Sequence, residues 1–270
     1  MPGQVKVMGI VNVTPDSFSD GGRFLAPDAA LAHARRLIAE GADILDIGAE
    51  STRPGSDPVP AEAEIARAVP LIAAIRAESD IAISIDTMKP QVARAAIAAG
   101  ADIWNDVAAL GFAPDAPAVA AELGCQVVLM HMQGEPRTMQ ASPHYDDVVG
   151  EVCAFLAARA QAALAAGVAR DRIVLDPGIG FGKRPEHNLA LIARLGEVAA
   201  LGFPVLLGVS RKRFIAALDP VGGAALDGRL AGSLAAALAG VEKGAGILRV
   251  HDVAETVQAL KVWGAIAAAR

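Results

Sequence analysis

Polar side chains of a few chemical types stand where apolar runs of this chain end. Two carboxylates and an amide, Asp86, Asn105 and Asp176, each follow a strongly apolar run. We expect them to be partly buried, and a buried carboxylate requires a partner. The set suits a flat heterocycle rich in N–H donors, since each charge-assisted hydrogen bond contributes on the order of 1.5–3 kcal/mol. A helix cap or an ion pair with a buried Lys or Arg is the alternative for each residue.

A second group of residues has the chemistry of an anion site. Residues 210–213, Ser-Arg-Lys-Arg, follow an apolar run and open a predicted helix. Free backbone N–H groups and the helix dipole favour an anion there. Arg249 and His251 stand two apart at a strand end, so both point to the same side. We expect these residues to form an anion-binding corner in which Lys212 reaches a substrate carbonyl. A solvated basic turn is the alternative for Arg211 and Arg213.

A glycine-rich stretch resembles a phosphate loop without having its chemistry. Residues 178–183 read Gly-Ile-Gly-Phe-Gly-Lys, but the Walker spacing fails and Arg184 stands where Ser or Thr would hold magnesium. We exclude a nucleoside triphosphate site and expect the glycines to let backbone and Phe181 approach a planar ligand. His131 lies between two methionines, and packing is the favoured interpretation for it.

The stretch of residues 9–22 joins a buried strand to a polar loop. Residues 5–11 are nearly all apolar, as in a parallel strand covered on both faces, and Asn12 is the first polar side chain beyond them. Pro15 and a Gly-Gly pair punctuate the next residues, which we expect to be mobile. An ordinary strand with a polar turn is the alternative for this segment alone.

Short β-rich runs alternate with Ala- and Leu-rich amphipathic segments along the whole chain. The predicted strands cover residues 5–11, 44–47, 81–85, 103–104, 127–130, 173–175, 205–209 and 247–250. The predicted helices include residues 29–40, 61–77, 90–99, 146–166, 187–200, 225–241 and 253–268. Eight such units favour a closed barrel over an open sheet. We predict an α/β protein with a single (β/α)8 TIM barrel domain over residues 1–270.

Nearly every predicted strand ends in a polar residue. The residues concerned are Asn12, Glu50, Asp86, Asn105, His131, Asp176, Ser210 and Arg249, with their polar neighbours. The carboxyl ends of barrel strands meet at one mouth, where the catalytic residues of such barrels lie. The repeated coincidence therefore favours function over solvated turns.

Composition limits the possible classes of protein. The chain has 270 residues, 53% of them hydrophobic and 20% charged, with a formal net charge of −6. That suits a soluble enzyme with a large core and argues against a general nucleic-acid binder. Its two cysteines form no zinc-like cluster with the five histidines. We find no room for a signal peptide and no apolar run long enough to span a bilayer, so we expect a cytoplasmic protein.

These residues together resemble the bacterial dihydropteroate synthase family over almost the full length of the chain. Eight motifs carry the resemblance: residues 12–22 (NVTPDSFSDGG), 50–55 (ESTRPG), 85–87 (IDT), 105–106 (ND), 129–134 (LMHMQG), 176–178 (DPG), 210–212 (SRK) and 249–252 (RVHD). Two departures touch no proposed functional side chain. Ala49 stands where the family usually has Gly, and residues 108–109 are both Ala, a less distinctive pair than the family usually has there.

The resemblance implies a reaction in which 6-hydroxymethyl-7,8-dihydropterin diphosphate condenses with 4-aminobenzoate to give 7,8-dihydropteroate and pyrophosphate, with Mg²⁺ present. It implies a dissociative path, in which the diphosphate leaves first and Asp86 lies beside the positive pterin methylene. Arg249 would cover a ring face and bind phosphate with His251 and Asn12, and Asn12 would be the Mg²⁺ ligand. The pterin diphosphate residues so implied are Asn12, Thr52, Asp86, Asn105, Met130, Asp176, Phe181, Lys212, Arg249 and His251.

The resemblance also implies how the second substrate is held. The 4-aminobenzoate contacts would come from Pro15, Phe18, Thr52, Arg53, Pro54 and Ser210. The catalytic set would be Asp86, Lys212, Arg249, His251, Thr52 and Arg53, none of them a covalent nucleophile. The family further suggests a homodimer that is a sulfonamide target, with no nucleic-acid or membrane partner.

Two other functions fit parts of the pattern. A pterin-binding barrel that transfers a methyl group from a tetrahydrofolate to a corrinoid protein would share the two acids and the amide. It should lack the anion corner of residues 210–212, Arg249 and His251, because no diphosphate leaves. A catalytically silent pterin-binding module is the other alternative, and the presence of Asn12 and both loops speaks against it.

Overall fold

Eight parallel strands close into a barrel in chain order, and the last strand pairs with the first. The computed structural model describes residues 5–13, 26–50, 58–135 and 138–269. The strands are β1 (Lys6–Asn12), β2 (Ile44–Gly48), β3 (Ala82–Asp86), β4 (Ile103–Asp106), β5 (Gln126–Met130), β6 (Ile173–Asp176), β7 (Val205–Leu207) and β8 (Ala245–Val250). The predicted (β/α)8 barrel is therefore confirmed, with each predicted strand in place.

Helices surround the barrel and follow the strands in alternation. They are α1 (Ala26–Ala39), α2 (Ala61–Glu78), α3 (Pro90–Ala98), α4 (Ala116–Leu123), α5 (Val148–Ala165), α6 (Pro185–Ala193), α7 (Leu195–Ala199), α8 (Arg213–Leu218), α9 (Leu230–Glu242) and α10 (Val253–Ala268). The predicted helix over residues 187–200 is divided at Arg194 into α6 and α7. No helix was predicted at α4, which has only eight residues.

The barrel interior is filled near its amino-terminal end by one layer of apolar side chains. This apolar plug consists of Met8, Ile44, Ile103, Val128, Val174, Leu206 and Ile247. Side chains on a strand alternate between faces, so the residue two positions further on also points inward. On β2, β4, β6 and β8 that residue is charged or an amide: Asp46, Asn105, Asp176 and Arg249. The strand period therefore stacks a polar layer on an apolar one.

The outward-facing strand residues and the inner faces of the helices form the larger core. Trp104 on β4 is fully buried there, and its Nε1 donates to the Thr87 carbonyl oxygen at 2.8 Å. Helix α5 buries Val152, Leu156 and Ala160, at the spacing of one helix face.

Helix α5 also corrects one expectation. Its 18 residues are long and apolar enough to cross a membrane by length and composition, so the prediction that no apolar run reaches that length is wrong. A helix packed in a soluble barrel meets the same criterion, and α5 packs on β5, α4, α6 and α7.

Candidate active site

The polar layer encloses an inner cavity at the carboxyl ends of the strands. Its lining includes seven residues predicted to hold a planar ligand: Asp86, Asn105, Met130, Asp176, Phe181, Lys212 and Arg249. Five of them lie on or at the end of β3, β4, β5, β6 and β8, and two lie on the loops after β6 and β7. Residues more than 160 positions apart are thus brought to one place by barrel closure.

The inner cavity opens into a wider mouth of about 1110 Å³. Asn12, Ser210 and His251 line this mouth together with Lys212 and Arg249. The expected convergence of the strand ends on one rim is therefore what the structure has. The remaining predicted residues lie outside the described ranges, and their roles stay predictions: Pro15, Phe18, Thr52, Arg53 and Pro54.

Arg249 bridges two buried carboxylates on the inner wall of the cavity. Its Nε donates to Asp46 Oδ2 at 2.6 Å, and its Nη2 donates to Asp86 Oδ2 at 2.7 Å. Asp46 is fully buried, and Asn105 Nδ2 lies 3.3 Å from both of its carboxylate oxygens. Sequence reasoning missed Asp46 because it stands inside an apolar strand and not at its end. Its position two residues after Ile44 was the available signal.

Asp86 combines deep burial with one unused oxygen. Burial raises the pKa of Asp86 to about 7, with Arg249 opposing the rise and Asp46 adding to it. Among the described residues, nothing donates to its buried Oδ1. A buried acceptor without a donor costs free energy, so Oδ1 suits an N–H donor of a ligand. The ion-pair alternative is realised at the other oxygen.

Asp176 and Lys212 lie on adjoining parts of the cavity wall. Asp176 Oδ1 accepts from Gly178 N at 2.7 Å, and burial raises the pKa of this carboxyl group. Lys212 Nζ lies 4.3 Å from the centre of the Phe181 ring, within cation–π range. Burial lowers the pKa of Lys212 to about 8; nearby Arg249 lowers it too, whereas Asp176 opposes the shift. The lysine and the aromatic ring thus form one wall.

Ser210 and His251 form a pair on the rim. Ser210 Oγ lies 3.0 Å from His251 Nδ1 and accepts from His251 N at 3.2 Å. Burial, with Arg249 and Arg211 nearby, lowers the pKa of His251 to about 3, so its ring is neutral near pH 7. A neutral imidazole offers an anion one N–H and no charge. The positive charge of the predicted anion corner therefore comes from Arg249 and Lys212.

Arg211 is bound to neighbouring protein groups and does not lie in a solvated turn. Its guanidinium pairs with Asp252, and its backbone N donates to Ser233 Oγ at 2.9 Å. Its φ of +57° is rare for a residue other than glycine. These contacts hold the start of α8 in place. Arg213 is exposed, as the solvated alternative expects.

The loop after β6 packs against the segment after β5 with backbones in near contact. A Cβ at Gly178 would stand 1.9 Å from the His131 carbonyl oxygen, and one at Gly182 would stand 2.4 Å from the Gln133 carbonyl oxygen. Both glycines have positive φ, of +68° and +61°. These two glycines permit contact between protein segments, which corrects the prediction that they serve approach to a ligand.

Lys183 stabilises the loop after β6 by hydrogen bonds to its backbone. Its buried Nζ donates to the carbonyl oxygens of Gly178 at 2.9 Å and Phe181 at 3.0 Å, and lies 2.9 Å from His131 Nδ1. Burial lowers the pKa of Lys183 to about 7, with Asp176 opposing the shift. Sequence reasoning gave Lys183 no role. A lysine directly after three alternating glycines was the signal available.

His131 packs as predicted. Its ring meets Phe155 edge-on with centroids 4.9 Å apart. Burial, together with the neighbouring Lys183, lowers the pKa of His131 to about 3. The ring is therefore a neutral packing element near pH 7.

A buried charge cluster joins the two ends of the segment that carries Thr52. Lys89 Nζ lies 2.5 Å from Glu50 Oε2 and 2.7 Å from Glu64 Oε2. Glu50 Oε1 accepts from Val59 N at 2.8 Å. Glu50 and Val59, which lie on either side of residues 51–57, are therefore held together by these contacts.

Asn12 offers a metal ion a single amide oxygen at the mouth. No group of three or more His, Cys, Asp or Glu side chains in the described part of the chain could hold a metal ion. Mg²⁺ commonly keeps several waters and binds one or two protein oxygens together with substrate phosphates. The described donors at this mouth therefore fit a magnesium ion carried by a diphosphate.

Comparison with known proteins agrees with this geometry. The model of the family described as pterin binding enzyme matches residues 8–251. The chain is 52% identical to dihydropteroate synthase of Neisseria meningitidis serogroup B, over 97% of this chain and 92% of that protein. It is 48% identical to dihydropteroate synthase of Escherichia coli K12, over 95% of this chain and 89% of that protein.

Solved structures give the same family. The dihydropteroate synthase of Xanthomonas albilineans with 4-aminobenzoic acid superposes with a TM-score of 0.92 at 52% identity, covering 98% of this chain and 94% of that one. The same enzyme in complex with 7,8-dihydropteroate gives 0.89 at 49% identity, covering 98% and 95%. The Yersinia pestis enzyme, solved as a sulfonamide drug complex, gives 0.92 at 43% identity, covering 98% and 95%.

Proposed function

Because the chain belongs to the pterin binding enzyme family, as a dihydropteroate synthase, we propose that its inner cavity holds the pterin ring and its mouth holds the diphosphate and 4-aminobenzoate. One observation carries this assignment. Asp86, Asn105 and Asp176 surround a single cavity, and Arg249 and Lys212 line both this cavity and the mouth outside it. Acceptors inside and cations at the entrance match a ring rich in N–H donors that bears an anionic leaving group.

The pterin ring meets three acceptors in this arrangement. Asp86 on β3 presents its unused Oδ1, and Asn105 on β4 and Asp176 on β6 present further oxygens. Phe181 and Met130 supply apolar contact to the ring faces. A flat ligand between these groups is oriented by hydrogen bonds at its edge and by packing on its faces.

The chemistry requires stabilisation of opposite charges a few ångströms apart. As the bond from the pterin methylene carbon to the diphosphate oxygen breaks, positive charge develops on the pterin and negative charge on the leaving group. The Asp86 carboxylate stabilises the first, and Arg249, Lys212 and the His251 N–H stabilise the second. The amine nitrogen of 4-aminobenzoate then forms the new carbon–nitrogen bond and gives up a proton to solvent. Ser210 on the rim binds the aminobenzoate carboxylate.

We also propose that Mg²⁺ joins the site at Asn12. When bound with the diphosphate, the ion supplies charge neutralisation at the phosphate oxygens. Asn12 would hold it by its amide oxygen at the end of β1, beside the His251 and Arg249 corner.

We propose a homodimer working in the cytoplasm. Val262 and Ile266 support an interface between helices, because they lie four residues apart on α10 and are each more than half exposed. Sedimentation equilibrium of the purified protein tests this, and a monomeric mass across the micromolar range would contradict it.

One assay tests the reaction itself. The protein is mixed with the pterin diphosphate, 4-aminobenzoate and Mg²⁺, and 7,8-dihydropteroate is measured by mass spectrometry together with released pyrophosphate. We expect both products in equal amounts. Pterin binding without product would favour the silent module, and the methyl-transfer alternative predicts no use of the diphosphate at all.

A further inference from the structure

Asp46 is a buried charge to which no role in the reaction has been given above. It lies on β2 with no exposed surface, two residues beyond the apolar plug residue Ile44. It lies deeper in the barrel than Asp86, which is two residues further along in the paired register, opposite Gly48. A ligand in the inner cavity therefore meets Asp86 before it reaches Asp46.

Asp46 determines which way the Asn105 amide faces. A carboxylate has only acceptors, and both Asp46 oxygens lie 3.3 Å from Asn105 Nδ2. The reversed amide would set its own oxygen against two carboxylate oxygens, which is repulsive. The amide NH2 is therefore directed toward Asp46, and Oδ1 is the atom left for a ligand.

Asp46 also holds Arg249 in place independently of Asp86. The guanidinium is planar, and donation of Nε to Asp46 and Nη2 to Asp86 fixes that plane. A ligand donor at Asp86 Oδ1 shares that carboxylate with Arg249, whereas the Asp46 contact of Arg249 lies deeper and is not shared with the ligand. Asp46 therefore keeps the Arg249 side chain beside the cavity when the charge of Asp86 is also engaged by the ring.

Resting on the proposed function, we propose that Asp46 is a positioning residue for pterin recognition, which orients the Asn105 oxygen toward the ring and anchors Arg249 when the ring occupies Asp86. It touches neither the ligand nor the reacting atoms. Its effect falls on the pterin site and not on the 4-aminobenzoate site, because both of its partners line the inner cavity.

The Asp46→Asn variant tests this, with Ser84→Ala as its matched control. Asn keeps the shape of Asp but removes the charge and allows the Asn105 amide to turn over. Ser84 is the register partner of Asp46 on β3, is equally buried, and its hydroxyl has no partner among the described residues. It therefore reports the effect of altering this layer without the Asp46 contacts.

The readouts are the KM for each substrate and the calorimetric Kd for 6-hydroxymethylpterin, which needs no turnover. For Asp46→Asn we expect the pterin KM and Kd to rise about tenfold or more, with the 4-aminobenzoate KM changed less than about threefold. Ser84→Ala should leave both values within about twofold of wild type. Equal loss at both substrates, or an unchanged pterin Kd, would overturn the proposal.

Two arrangements keep the test decisive. If Asp46→Asn loses its fold, Asp46→Ser gives the same readout, because β3 already accommodates Ser at that layer. If wild-type protein binds pterin but forms no dihydropteroate, the proposed function fails, whereas the Kd comparison still decides the role of Asp46.

Discussion

At the residue scale, burial and charge act on Asp86 in opposite directions. Burial raises its pKa, and the ion pair with Arg249 limits the rise. A surface carboxylate would be ionised at lower pH but would be screened by water from a developing cation. Burial in the cavity thus makes the Asp86 carboxyl group harder to ionise, but it strengthens the interaction of the carboxylate with a nearby positive charge.

Replacing Asp86 with Asn should reduce kcat by about 10²-fold or more, because a preorganised charge beside the developing cation is lost. The measurement is steady-state dihydropteroate formation at saturating substrates, with circular dichroism to establish that the fold is kept. Turnover equal to wild type would exclude the electrostatic role.

The pH dependence of kcat/KM for the pterin diphosphate should be bell-shaped and narrow. In the proposed mechanism Asp86 acts as the carboxylate, and its pKa is raised to about 7, so activity should fall as pH drops below that value. Lys212 acts there as the ammonium, and its pKa is lowered to about 8, so activity should fall as pH rises above that value. Lys212→Arg keeps its charge, and its basic limb should move to higher pH. A basic limb identical in both proteins would assign it to another group.

Sequence reasoning located site residues where a strand's end is visible in composition. Asp86 and Asp176 each terminate an apolar run, and such boundaries can be read from the chain alone. Asp46 could not be assigned in this way, since its partner Arg249 lies 203 residues away and only barrel closure joins them. The neutral state of His251 likewise depends on tertiary burial.

At the element scale, the alternating period of the strands decides which residues can reach the ligand. Ile44 and Asp46, or Val174 and Asp176, are separated by one outward-facing residue and so share the interior. The same period could be predicted, because parallel strands with buried faces are distinct in composition. The division of the helix after β6 could not, because Arg194 carries no helix-breaking signal.

Gly208 at the end of β7 keeps part of the cavity open. It lines both the inner cavity and the mouth, and the nearest atom to an added Cβ would be Arg249 Cβ at 3.9 Å. Gly208→Val should therefore fold and fill the site, weakening pterin binding about tenfold or more, or ~1.4 kcal/mol and above. Calorimetry measures the change. Gly264→Ala on α10, with open space around it, is the control, and equal affinities would contradict the assigned cavity.

Lys183 links the loop after β6 to the strand beside it. Lys183→Met should lower the free energy of unfolding by about 1–3 kcal/mol, because a buried carbonyl oxygen and a partly buried one lose their donor. It should also raise the pterin KM, since Phe181 sits on that loop. Urea unfolding and initial rates measure the two effects. Exposed Lys261→Met is the comparison, and the same stability in both variants would show that the buried ammonium is dispensable.

At the scale of the whole molecule, the binding site at one end exists only when the barrel is closed, so ligand binding is coupled to folding. A ligand that binds only the folded protein stabilises it by about 2.7 kcal/mol at a hundred times its Kd. The order β1 to β8 followed from the count of units, so this architecture could be predicted. The proposed interface between helices has no signal of its own in the sequence and rests on the family resemblance, because it depends on a second copy.

Thermal unfolding should reveal the proposed metal as a partner of the diphosphate. Mg²⁺ alone should leave Tm nearly unchanged, because the described residues hold no group of three or more His, Cys, Asp or Glu side chains that could bind it. Pyrophosphate with Mg²⁺ should raise Tm by several degrees, and Asn12→Ala should remove the Mg²⁺-dependent part. A rise with Mg²⁺ alone would indicate a resident site elsewhere.

The apolar plug beneath the site limits how ligands enter and leave the inner cavity. Seven packed hydrophobic side chains close the far end, so the described residues leave the inner cavity open only toward the mouth. On the proposed assignment, a molecule bound at the mouth blocks both entry to the inner cavity and exit from it. We therefore expect ordered binding, in which the pterin diphosphate enters before 4-aminobenzoate and the product leaves through the mouth.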